Sequence, residues 1–359
     1  MNDFDRFVEG QAFRHAFPPA KPAFPPVDIA RRFRDDFAML NEQTHQRFLA
    51  ALATCATDRT IVSSVAGESS VAGAVILDAG IQTRGSLAAG ILLAELCLGN
   101  AASVSLSPCD ADLYAVDHAV VVQTDAPVAA CLGSQYAGWP VQTDDFFAMG
   151  SGPMRLFRGK EAVLKELKLT DSGDNLVGVL ESDKLPTESV VQLIADQCGV
   201  ATSGIHLAVA PSSSIAGSVQ VVARSIETAL HKLHELKFDV TTIVSAIGVA
   251  PLPPPAKPGD MVGGIGRTND AMLYGARVTL WVDCDDEQIQ SVADKVPSHS
   301  SSDHGQPFAK IFKAYEYDFY KVDAMLFSPA IVTFHNLRTG RTWTRGKIMT
   351  DVLRESFLS

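Results

Sequence analysis

Between residues 218 and 234 the chain reads SVQVVARSIETALHKLH, which sets Gln220, Arg224, Glu227 and His231 three or four residues apart. At helical spacing these polar side chains project from one face, so Arg224 and Glu227 stand close together. A guanidinium beside a carboxylate favours the ionised carboxylate and fixes its direction. That suits a group that takes a proton from water in a crevice. The same spacing also describes a solvated surface ion pair, which is common and weak. The elements around the pair have to decide between the two.

Those elements begin with Ile205 to Ala210, a short apolar run that reads as a strand and ends at Pro211. Ser212, Ser213 and Ser214 follow and can cap a helix by accepting from its free N–H groups. The spacing of Ile215, Val219, Val222, Ile226, Leu230 and Leu233 then predicts one long helix to Leu236 with a stripe to bury against a sheet. A second strand, turn, helix and strand run from residue 73 to 106, with Gly85, the cap candidate Ser86 and the stop Gly99. Ser86-Leu87-Ala88-Ala89 stands there where Ser214-Ile215-Ala216-Gly217 stands later, an echo that either a duplication or any βα unit produces.

Length and composition bound the rest. At 359 residues the chain fits two domains, and 47% apolar with 20% charged residues reads as soluble and globular. No apolar run is long enough to span a bilayer, and the N-terminus lacks a continuous apolar segment of the secretory kind, so the expected location is the cytoplasm. A formal net charge of −11 argues against a nucleic-acid partner and favours a cationic ligand. The six cysteines are scattered without disulfide or zinc spacing and are expected to be reduced thiols.

Strand-like and helix-like runs alternate along the chain. The expected fold class is therefore mixed α and β (α+β or α/β), as two domains of sheets packed with helices. Residues 1–40, which hold FPPAKPAFPP, read as an N-terminal extension, 41–200 as a first α/β domain and 201–359 as a second, with approximate and discontinuous boundaries allowed. Asp125 and Pro127 open a helix expected to fail near Gly133. GSQYAGWPV and MGSGPMRLF concentrate Gly, Ser, Pro and aromatics in expected loops, where backbone can approach a ligand. The GGIGR piece at 263–267 follows prolines and has Asn269 where a dinucleotide fingerprint needs its third glycine. A Rossmann site is rejected, and an anion nest stays open. His299, Asp303 and His304 match no standard ligand set, so no metal is expected.

ACLGSQYAGW, GSGPMR, VARSIET, GIGRTNDAMLYGA and the SSSDHGQPFAKIF run, in this order, resemble the methenyltetrahydromethanopterin cyclohydrolase family over most of residues 60–336. The resemblance implies an enzyme of one-carbon metabolism, such as formaldehyde oxidation, that reversibly hydrolyses the methenyl group bridging N5 and N10 of tetrahydromethanopterin to the N5-formyl compound. It also implies a pocket between two domains, no metal and no tightly bound cofactor. The pterin carrier, full or in its dephospho form, is the substrate, and a homo-oligomer, as a trimer, is expected. The family's arginine and glutamate map onto Arg224 and Glu227. Tyr136 offers a face to the pterin ring, while Ser151, Arg267 and Asn269 offer polar groups from the glycine loops. Three alternatives are a cyclohydrolase acting on a folate-type methenyl pterin, a pterin-binding protein without catalysis, and an anion binder using GGIGR.

Overall fold

The computed structural model describes residues 40–65 and 73–358. The proline-rich stretch of the N-terminal extension lies outside the described residues. Twelve strands occur in them: β1 Ile61–Val65, β2 Ala74–Asp78, β3 Ser103–Pro108, β4 His118–Thr124, β5 Trp139–Gln142, β6 Phe147–Ser151, β7 Leu176–Glu181, β8 Ile205–Ala210, β9 Ile243–Pro251, β10 Arg277–Val282, β11 Ile331–Asn336 and β12 Thr342–Gly346. The helices that matter for the site are α1 Leu40–Ala51, α2 Leu87–Cys97, α3 Met154–Arg158, α4 Glu188–Cys198, α5 Ile215–Val222, α6 Ser225–Glu235, α7 Met261–Asp270, α8 Phe308–Ala314 and α9 Thr350–Phe357.

The strands form two mixed six-stranded sheets, β1-β2-β8-β7-β6-β5 and β12-β11-β10-β9-β4-β3. This is the mixed α and β architecture expected from the alternation of runs. In the first sheet β2, β8 and β7 run parallel, so their carboxyl ends share one edge. The central strand β8, Ile-His-Leu-Ala-Val-Ala, is buried throughout because both faces are covered, which explains why its apolar run does not alternate strictly. One face packs on α4 through Val190, Val191 and Ile194. The other packs on α1, α2 and the start of α5.

Helices α2 and α5 contribute side chains both to the core on the first sheet and to the larger core built on the second. A helix buried on most sides should be largely apolar, and LAAGILLAELC carries one charge, Glu95, which pairs with Arg47. Gly90 sets their closeness, since a Cβ there would lie 2.6 Å from the Val219 Cβ. Both helices start as the serines forecast. Ser86 accepts from the Ala89 N–H at 3.0 Å and Ser214 from the Gly217 N–H at 2.9 Å. No helix among the described residues is long and apolar enough to cross a membrane.

Three local expectations need correction. The long helix from Ser214 to Leu236 is two helices, because Ala223 (ψ 1°) and Arg224 (φ −88°, ψ 9°) leave helical geometry and Arg224 becomes the N-cap residue of α6. The Ala223 carbonyl freed there accepts from Gln135 Nε2 at 3.1 Å, so a tertiary bond holds the break. The segment after Pro127 does not fail at Gly133 but runs on as a π-helix over Val128–Gln135. The expected GGIGR loop is the body of α7, capped by Asp260 onto the Gly263 N–H at 2.8 Å. Its glycines serve close packing, for a Cβ on Gly264 would meet the Ser213 backbone nitrogen at 2.8 Å.

Candidate active site

The break between α5 and α6 is where the charged face predicted from spacing becomes a site. Arg224 is buried, and its guanidinium is fixed by three elements. Nε donates to Gln220 Oε1 at 3.0 Å, one turn back on α5. Nη1 donates to the Gln135 carbonyl at 2.6 Å, at the end of the π-helix. Nη2 donates to Ser151 Oγ at 3.1 Å, at the end of β6. Ser151 is in turn held 3.1 Å from Cys97 Sγ at the end of α2. A rigid guanidinium fork with this many acceptors loses little freedom on binding.

Glu227 lies in the first turn of α6, where the helix dipole favours a negative charge. It is 5% exposed. Its oxygens accept no hydrogen bond from the described residues, yet they are not sealed from solvent. Burial pushes its pKa up to about 7, against the pull of the Arg224 and Arg155 charges. The expectation that Arg224 alone keeps the carboxylate ionised is therefore too simple, since desolvation outweighs it. A carboxyl poised near neutrality can both take and return a proton.

Tyr136 closes one side. Its ring stacks on His231 with centroids 4.7 Å apart and 17° between planes, and the Arg155 guanidinium lies over it at 5.0 Å. These neighbours leave its edge and hydroxyl as its contribution. Burial first, and the Glu227 charge second, raise that hydroxyl to about 12. Burial also lowers the pKa of His231.

Arg155, fully buried in α3, forms a two-pronged pair with Glu161. Its Nη1 donates to the carbonyls of Leu132, Gly133 and Ser134 at 3.1–3.2 Å. It thus fixes the end of the π-helix whose next carbonyl holds Arg224. Two of the buried polar atoms without a partner, Gln135 Oε1 and Ser225 Oγ, belong to residues flanking this arrangement. A buried polar group left unsatisfied calls for an explanation, and a catalytic role is one.

A family model described as Cyclohydrolase (MCH) matches residues 41–357. The chain belongs to that family. Among the relatives of this chain, the "Methenyltetrahydromethanopterin cyclohydrolase" of Rhodopirellula baltica is 65% identical over 290 residues, covering 80% of this chain and 87% of the relative. A protein of the same name from Methylobacillus flagellatus is 44% identical, over 79% of this chain and 86% of its own. One from Methanococcoides burtonii is 42% identical, over 79% and 89%.

Of the residues singled out in the sequence, Arg224, Glu227, Tyr136 and Ser151 meet at this place. Arg267 and Asn269 stand on α7 instead. Arg267 donates to the carbonyls of Pro254 and Pro255 at 3.3 and 3.0 Å, and Asn269 Nδ2 to the Ile265 carbonyl of its own helix at 2.8 Å. Asp303 accepts from Tyr315 Oη at 3.0 Å, and the His304 ring tilts against Tyr274. Sequence reasoning did not pick out Arg155, Glu161 or Gln135. The signal was present in GSGPMR and ACLGSQYAGW, but the partners of these residues come from other elements.

Proposed function

We propose that this protein reversibly hydrolyses 5,10-methenyltetrahydromethanopterin to the 5-formyl compound, with Glu227 as the general base and Arg224 as its partner in charge. The observation that carries the reading is a buried carboxyl near neutral pKa, without a hydrogen bond from the described residues, one turn from a fixed guanidinium. The relatives' names supply the substrate.

The methenyl carbon sits between two nitrogens as an amidinium-type cation and is already electrophilic. What the reaction lacks is a positioned nucleophile. Glu227 takes a proton from water as its oxygen bonds to that carbon. The same proton passes to N10 as the C–N10 bond breaks, and the hydroxyl proton leaves as the formyl carbonyl forms. One hydrolysis releases one proton. Proton transfer by a placed group is worth on the order of 10²–10⁴-fold. One Nη1 N–H of Arg224 has no acceptor among the described residues and can donate to the oxygen as it becomes the carbonyl. Ser151 and Gln135 act by holding that guanidinium.

Absorbance assays with methenyltetrahydromethanopterin and methenyltetrahydrofolate side by side test the reading. Turnover of the methanopterin compound is expected. Preferred turnover of the folate would reassign the substrate, and tight binding without product would make the protein a carrier.

A further inference from the structure

A second carboxylate, Glu181, lies within reach of the Arg224 charge. Glu181 is the last residue of β7, and its strand neighbours Val177 and Val179 turn into the core beneath α2. Period-two alternation puts the Glu181 side chain on that same face. The antiparallel register pairs Ser151 with Val179 and Met149 with Glu181. Ser151 and Glu181 are therefore diagonal neighbours on one face, a separation of roughly 7–8 Å, and Ser151 Oγ is the acceptor of Arg224 Nη2. The edge is also the ligand-prone one, the carboxyl end of the parallel strands β2, β8 and β7.

Glu181 is half-buried, and its carboxylate accepts no hydrogen bond from the described residues. Burial raises its pKa, while the Arg224 charge, its one electrostatic partner of note, pulls it down. Nothing in the proposed proton transfer uses it. The charges of the site show what it adds. Arg155 is neutralised by Glu161. Arg224 is left facing two carboxylates, Glu227 and Glu181, so the ionised site carries one excess negative charge. The methenyl substrate carries one positive charge, and the formyl product carries none at that carbon. When Glu227 holds a proton, the site and the product are both neutral.

We infer that Glu181 is a specificity-determining residue whose carboxylate supplies the counter-charge by which the site prefers the cationic methenyl pterin over the neutral formyl pterin. This rests on the substrate proposed above. It makes Glu181 a binding group, distinct from the base.

Equilibrium binding separates the two. In a Glu227→Gln background, where hydrolysis is suppressed, dissociation constants are measured for methenyltetrahydromethanopterin and for 5-formyltetrahydromethanopterin, with and without Glu181→Gln. Loss of a partly buried counter-charge should weaken the methenyl form on the order of 10-fold or more and leave the formyl form within a factor of about two. Glu181→Asp, which keeps the charge, should restore the preference. Equal weakening of both ligands, or no change in either, overturns the inference. Absence of turnover by the unmodified enzyme would instead overturn the substrate assignment, so the two failures are distinguishable.

Discussion

Arg224 and Glu227 lie one helical turn apart, yet no hydrogen bond joins them. The guanidinium gives its bonds to Gln220, the Gln135 carbonyl and Ser151, and acts on the carboxyl by charge alone. A direct bond would hold Glu227 as a carboxylate. Distance and burial leave it near pH 7, where it can exchange a proton in either direction.

The first consequence concerns stability. The folded-state pKa of Glu227 is raised to about 7 from an ordinary 4.5, so between these values the folded chain holds a proton that the unfolded chain has lost. Stability falls as pH rises through that window, and above pH 7 the whole cost is present, up to about 3 kcal/mol at about 1.36 kcal/mol per unit. Glu227→Gln should therefore raise the urea midpoint at pH 8 and leave it unchanged near pH 4. A lowered midpoint at pH 8 would contradict this.

The second concerns rate against pH. Hydrolysis needs Glu227 ionised, so kcat should climb with pH and level off above about 7. Removing the positive charge by Arg224→Gln takes away the largest influence pulling this pKa down, and the acid limb should move to higher pH. Arg224→Lys keeps the charge and should leave the limb in place while lowering kcat, because the fork to Gln135 and Ser151 is lost. A limb that moves down in Arg224→Gln would contradict the account.

The pair beneath the π-helix should behave as a buried ion pair. Glu161→Gln leaves the Arg155 charge buried without its paired carboxylate, against carbonyls and the Tyr136 ring, a loss of roughly 3–5 kcal/mol. Denaturant unfolding of the variant reads it directly. A change under about 1 kcal/mol would place the pair in effective contact with water.

At Gly90 two effects oppose each other. Alanine in mid-helix ordinarily gains about 0.5–1 kcal/mol over glycine, but the added Cβ would sit 2.6 Å from the Val219 Cβ, and overpacking costs about 1–3 kcal/mol. Gly90→Ala should be net destabilising, read as a fall in thermal midpoint. A rise would mean that α2 and α5 can separate freely.

Much of the fold was legible because local chemistry and tertiary structure agree. Strand β8 begins and ends where its apolar run does, and Ser86 and Ser214 cap as their positions require. Legibility fails where a distant partner overrides the local pattern. The apolar stripe of α5 and α6 continues unbroken across Ala223, with neither glycine nor proline to mark the break, which depends on Gln135 some ninety residues earlier. The glycines of α7 read as a loop until Ser213 and Ala309 are seen against them. The face of Gln220, Arg224, Glu227 and His231 was visible from spacing. Arg155 and Glu181 were not, because their places at the site depend on strand pairing and on the π-helix.

The central claim is that Glu227 moves the proton. Glu227→Gln, assayed by loss of methenyltetrahydromethanopterin absorbance at pH 8 beside the unmodified enzyme, measures it most directly. The account predicts a fall in kcat on the order of 10²–10⁴-fold with the pterin still bound. Turnover at the unmodified rate would contradict it.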